Sequence, residues 1–122
     1  MSFKRIEIDN RVEYRNHLDQ LDRPDGPAVT WSDGAFAWYR MHRLHRLDGP
    51  AYQGADGTRE WWQNNQRHRV DGPAIEYANG SKEYWIEGEK LTKEEFIART
   101  QTKELTMAEL EQLLGYPVKI KK

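Results

Sequence analysis

Chemistry in this chain would have to come from a short inventory: four histidines, three serines, no cysteine and a set of Arg-x-Asp triplets. Without cysteine there is no thiol nucleophile, no disulfide and no thiolate-bound metal, which fits a reducing cytoplasm. None of Ser2, Ser32 and Ser81 sits in a Gly-x-Ser-x-Gly elbow, and two of them fall at turn signals. Each glycine, Gly88 included, serves a turn, so no phosphate-cradling loop is present. His45 and His68 stand at matching places 23 residues apart, which on neighbouring hairpins means about 10 Å. Two nitrogens on one zinc are only about 3–4 Å apart, so this pair cannot share an ion. His42 and His45 flank one turn and could lie closer, yet no third ligand type clusters with them. Proton transfer between a histidine and Asp48 or Asp71 is the remaining option. Identical sites recurring at one period point to architecture instead. The expectation is a chain with no catalytic residues, no metal and no cofactor.

Behind this inventory lies a strong period. Asp-Gly-Pro-Ala occurs at 25–28, 48–51 and 71–74, so the interval is 23 residues both times. A whole unit recurs with it, over 22–44, 45–67 and 68–90. Each unit carries an Asp/Asn-Gly pair at Asp33-Gly34, Asp56-Gly57 and Asn79-Gly80. An aromatic doublet follows: Trp38-Tyr39, Trp61-Trp62 and Tyr84-Trp85. Asp-Gly and Asn-Gly supply the positive φ of tight turns, and the flanking runs are short, alternating and rich in strand formers. Asp-Gly-Pro reads as the second turn, built on Gly26-Pro27, Gly49-Pro50 and Gly72-Pro73, with Gly49 and Gly72 at positive φ. Each unit then holds two strands of roughly five residues. With strands at 4–8 and 11–15 the total is about eight. The predicted fold is mainly β: an antiparallel meander of three 23-residue β-hairpin repeats with a C-terminal helical cap. Residues 1–21 form an N-terminal hairpin or half-repeat, 22–90 the repeats, and 91–122 the cap with a short terminal strand.

Composition agrees with one small folded unit of 122 residues. Five Trp and six Tyr argue against disorder and predict an aromatic rather than aliphatic core. Lys+Arg (19) and Asp+Glu (20) nearly cancel, so no nucleic-acid partner is expected. A mean hydropathy of −1.02, with no long apolar run and no signal-type start at Met1, predicts neither a membrane span nor export.

The period, the glycine turns and the Trp/Tyr-rich second strand resemble MORN-type repeats, single β-hairpins stacked in a row. The units are most similar to the MORN-variant group, with His-Arg-x-Asp-Gly-Pro-Ala, then Asp-Gly, then an aromatic doublet. That group is common in proteins of bacteriophages and large viruses, with antitoxin-like relatives of the YwqK type. The likeness covers 22 to about 96. It departs at Asp22 (for the first His), at Met41-His42 and Asn64-Asn65 (for Asn-Gly) and at Gly54 (for an aromatic), which predicts a looser second unit. The resemblance implies a non-catalytic phage-type accessory protein, in the host cytoplasm, that binds and blocks or redirects a host or defence protein. An antitoxin-like partner of a toxin is the second implication. Apart from the resemblance, open sheet edges leave a further reading, a structural self-assembling protein that dimerises through them.

Alternation on a strand puts Trp38, Trp61 and Tyr84 in one column and Tyr39, Trp62 and Trp85 in another on the reverse face. One column must be core; the other is either covered or a partner-binding platform. Arg23/Asp25, Arg46/Asp48 and Arg69/Asp71 read as structural charge pairs. Thr92 to Glu95 and Thr106 to Glu109 are capping boxes. The first predicts a helix from Lys93 to Arg99 bearing Phe96 and Ile97. The second predicts one bearing Leu110, Leu113 and Leu114 and stopping at Gly115, before an edge strand over 116–120.

Overall fold

The computed structural model describes residues 3–100 together with Gln112 and Gly115. Ile6 and Ile8 alternate with charged neighbours to make β1 (Lys4–Ile8), and Asp9-Asn10 turns the chain into β2 (Arg11–Arg15). These are the spans expected. The units then contribute β3 (Val29–Trp31), β4 (Phe36–Ala37), β5 (Tyr39–Arg40), β6 (Arg43–Leu44), β7 (Tyr52–Gln53) and β8 (Arg59–Glu60). They continue with β9 (Trp62–Gln63), β10 (Gln66–Arg67), β11 (Ile75–Glu76), β12 (Lys82–Ile86) and β13 (Glu89–Leu91). One helix, α1 (Lys93–Thr100), closes the described segment. The chain is mainly β and its pairings are antiparallel. Nine strands form one sheet in the order β1-β2-β3-β4-β7-β8-β11-β12-β13, while β5–β6 and β9–β10 stand apart as two-stranded hairpins. The second predicted helix and the strand over 116–120 lie outside the described residues, apart from Gln112 and from Gly115 at φ 81°.

Thirteen strands replace the expected eight or so, because the Asp-Gly-Pro segment is not a hairpin turn. Trp38 donates its N–H to the Ala51 carbonyl at 2.6 Å and accepts the His45 N–H at 3.0 Å. Residues 45 and 51 therefore both pair with Trp38, and 46–50 leave the ladder as a five-residue excursion. Trp61 does the same with His68 and Ala74 (3.0 and 2.8 Å), and Tyr14 with Asp22 and Ala28 (3.0 and 2.7 Å). The excursions opposite Trp38 and Trp61 split the opposing strand at its aromatic, separating β4 from β5 and β8 from β9, whereas β2 runs unbroken through Tyr14.

The real hairpin turns are of two kinds. Gly34, Gly57 and Gly80 (φ 96°, 95° and 91°) close three-residue loops, in the type I plus left-handed-glycine arrangement. The opposite ends turn through Met41-His42 (48° and 66°), Asn64-Asn65 (49° and 67°) and Glu87-Gly88 (49° and 81°). Two successive positive φ values make these type I′ turns. Met41-His42 and Asn64-Asn65 thus form the turn that Asn-Gly would have made. Gly49 and Gly72 have no positive φ, contrary to expectation, and neither has Gly26. They are glycine for lack of space, since an added Cβ would meet the Arg23, Arg46 or Arg69 guanidinium carbon at 2.8 Å. Gly54 is likewise filled in rather than empty: an added Cβ would meet Asp56 Oδ1 at 2.9 Å and the Tyr52 hydroxyl at 3.3 Å.

The core is aliphatic and small, not aromatic. Ala28, Ala51 and Ala74 are wholly buried, beside Val29, Ala37 and Ile75, because each alanine ends an excursion where strands close again. All six doublet aromatics are only half-buried. At the C-terminal end Thr92 and Glu95 form the predicted capping box (2.9 and 3.1 Å), and α1 buries Phe96 and Ile97. Phe96 lies 4.8 Å from the Tyr84 ring centre. No helix among the described residues is long and apolar enough to cross a membrane.

If space rather than φ requires Gly72, Gly72→Ala costs about 1–3 kcal/mol in urea unfolding, and most of that vanishes in an Arg69→Ala background. Gly57→Ala, strained by its φ, costs about 1 kcal/mol in either background. Equal cost of Gly72→Ala in both backgrounds would contradict the close-approach assignment.

Candidate binding surface

Each excursion is held by one arginine. Arg23 lies over the Tyr14 ring at 4.0 Å, Arg46 over Trp38 at 4.0 Å and Arg69 over Trp61 at 3.8 Å. Nη1 donates to the carbonyl of Pro27, Pro50 or Pro73, at 3.2, 3.1 and 3.1 Å. Nε faces Asp25, Asp48 or Asp71, at 3.5, 2.9 and 2.8 Å. A planar guanidinium with donors in its plane and a ring on its face can do all of this at once; an ammonium cannot. The Arg-x-Asp pairs are therefore structural, as expected, but their main contact is with the preceding unit's aromatic. Sequence reasoning missed that contact. Its signal was present: all three units have Arg, never Lys, before Asp-Gly-Pro.

The histidines also hold backbone. His45 Nδ1 accepts the Asn64 N–H at 3.1 Å and His68 Nδ1 the Glu87 N–H at 3.0 Å. Each thereby fastens the type I′ turn of the next unit. Asp22, at the matching position, accepts from Met41 N–H, as well as from Asn16 Nδ2 at 2.9 Å and Arg40 Nε at 2.6 Å. Among the described residues, no three His, Asp or Glu lie together as a metal-ligating group.

The columns are shared surfaces. Trp38 and Trp61 are covered by Arg46 and Arg69, and Tyr84 by Phe96. In the other column the rings interleave with cross-strand partners: Tyr39 pairs with Leu44, Trp62 with Arg67 and Trp85 with Lys90. Arg67 is sandwiched at 4.8 Å from the Trp62 ring and 5.0 Å from Trp85. The indole N–H groups of Trp62 and Trp85 donate to Glu60 and Glu83, both at 2.9 Å.

Leu18, Met41 and Tyr77 are exposed at turns and loops, and the excursions expose a row of their own. Leu47 is 75% exposed and Val70 56%, at equivalent positions, with exposed Pro24 the third of the row. Two matching clefts of about 370 Å³ lie between these ridges. Trp38, His45 and Arg46 line the one between Pro24 and Leu47. Trp61, His68 and Arg69 line the one between Leu47 and Val70. Of the predicted platform, then, the structure brings Trp38 and Trp61 to the clefts and leaves Tyr39, Trp62, Trp85 and Tyr84 outside them. Compared with protein-family models, curated proteins and solved structures, the chain matches none.

Several carboxylates are tuned by this network. The Arg11 hydrogen bond at 2.6 Å, opposed by burial and aided by Arg15, holds Glu13 below its ordinary 4.5. Glu83 is lowered by the Trp85 indole and the Tyr77 hydroxyl. Burial alone would raise Asp22, but the Asn16 and Arg40 hydrogen bonds outweigh it, and it sits below 3.8.

A carboxyl lowered on folding contributes stability above its unfolded value and loses it as pH falls from there through its lower folded value. Unfolding free energy should thus be flat above about pH 5 and fall progressively below it, and Glu13→Gln with Asp22→Asn should flatten the fall. An acid limb unchanged by both would contradict the assignment. His68→Ala, which orphans the Glu87 amide, costs about 1 kcal/mol in urea unfolding; no cost would show that the imidazole bond contributes nothing.

Proposed function

We propose that the chain is a non-catalytic protein-binding module that presents the excursion row to its partner. One observation carries this reading. Leu47 and Val70, both exposed, are equivalent residues on either side of a cleft lined by Trp61. Neither side chain serves the architecture, whereas the arginine before each and the aspartate after it do. Exposed apolar side chains beside aromatic, arginine-rich clefts are the composition of protein interfaces. His45 and His68 are engaged by turn amides, which supports recognition rather than catalysis. The likeness to MORN-variant proteins supplies the setting: a phage-type accessory protein that blocks or redirects a host or defence protein in the cytoplasm.

The test is capture from bacterial lysate followed by affinity measurement with the identified partner. Leu47→Asp with Val70→Asp should weaken that affinity at least about tenfold while the melting temperature holds, whereas Ser32→Asp should leave it unchanged. Equal binding by all three proteins would remove the excursion row as the contact surface.

A further inference from the structure

The two ends of the nine-stranded sheet differ. At one end β13 runs into α1. At the other, β1 has no neighbour among the described residues. The backbone groups it leaves open can be assigned. Tyr14 donates N–H to Ala28 at 2.7 Å and Asn10 accepts from Ser32 at 2.8 Å, so the even-numbered residues of that arm face β3. Arg11, Glu13 and Arg15 then face β1, where their register partners are Ile8, Ile6 and Lys4. Alternation directs the N–H and C=O of Arg5 and Glu7 at the open edge.

We propose that β1 pairs antiparallel with β1 of a second copy of this chain, about a two-fold axis through Ile6. In that register Arg5 lies opposite the second copy's Glu7, and Glu7 opposite its Arg5, so the outward amides and carbonyls bond to one another. Arg5 and Glu7 already form an ion pair at 2.6 Å within the strand, with both side chains more than half exposed. Joining two strands closes these into a ring of four charges with alternating sign. Centring the pair on Arg5 or on Glu7 would instead set like charges opposite, which is unfavourable. Exposed charges on an edge normally repel added strands; here their order selects a copy of the same strand. Ile6 meets Ile6 across the axis in a non-hydrogen-bonded pair, the arrangement with the closest side chains. So short an edge falls below the roughly 1,200 Å² of standard interfaces, and the dimer is weak and reversible. It uses residues other than the excursion row, and stands or falls independently of the partner-binding reading.

Sedimentation velocity of the full chain from roughly 10 to 500 micromolar reads it directly. The mass should climb from 14.5 kDa towards twice that value. Arg5→Glu and Glu7→Arg should each weaken dimerisation at least about tenfold, and the two together should restore it. A second measurement does not depend on these reversals. The chain has no cysteine, and a non-hydrogen-bonded pair sets its Cα atoms about 4.5 Å apart, within disulfide range. Ile6→Cys should therefore cross-link on mild oxidation while the exposed control Ser81→Cys does not. A mass of 14.5 kDa throughout, a dimer indifferent to the single reversals, or failure of the folded double variant to recover would each overturn the proposal.

Discussion

Everything in this fold depends on a guanidinium held between an aromatic ring and a glycine. A single-layer sheet has no second layer to bury its aromatics, and here the excursions supply one. Arg46 covers Trp38, closes on Gly49 and ties down the Pro50 carbonyl. The contact is worth roughly 1 kcal/mol in its cation–π part, more where water is excluded. Its larger effect is geometric. By holding 46–50, where the Arg46 amide also bonds the Trp62 carbonyl, it lets the chain rejoin its ladder at the wholly buried Ala51.

That arrangement explains what could be read from the residues and what could not. The 23-residue period, the span of β1 and β2, and the capping box at Thr92 are local signals, and each appears where it was expected. The assignment of turns was inverted at Asp-Gly-Pro. Glycine there answers to the guanidinium of the arginine three residues before it, and spacing alone does not distinguish a glycine needed for φ from one needed for room. Met41-His42 shows the converse, since two residues with no turn signature adopt positive φ because the hairpin around them demands it. The core was misjudged for a related reason. Aromatic content shows that a chain folds, but whether a ring is buried or shared with an arginine depends on what the next unit places over it.

The array also shows how its ends are managed. Tyr14 receives Arg23 just as the tryptophans receive Arg46 and Arg69, so the N-terminal half-unit is a full acceptor. After Tyr84 no further arginine clamp follows; residue 92 is Thr92, the N-cap of α1. Phe96 takes the vacant ring face instead, replacing a cation with a hydrocarbon of similar reach. This is capping by substitution of one contact, in keeping with the need of repeat arrays for distinct terminal units.

The same logic separates the residues that serve the fold from those free to serve a partner. Where a bond matters, different side chains meet it: Asp22, His45 and His68 all accept a turn amide. Where Trp62 and Trp85 need an acceptor, Glu60 and Glu83 provide one, and where the ring is Tyr39, the matching residue is Ala37. At the first of these positions the contact survives every change, and at the second the acceptor is present only where an indole N–H needs it. Pro24, Leu47 and Val70 differ from unit to unit and preserve none, because each lies between an arginine and an aspartate that already hold the loop. The arginine, Asp-Gly-Pro-Ala and the turn glycine recur in all three units, while Pro24, Leu47 and Val70 are outward positions whose change leaves those contacts in place.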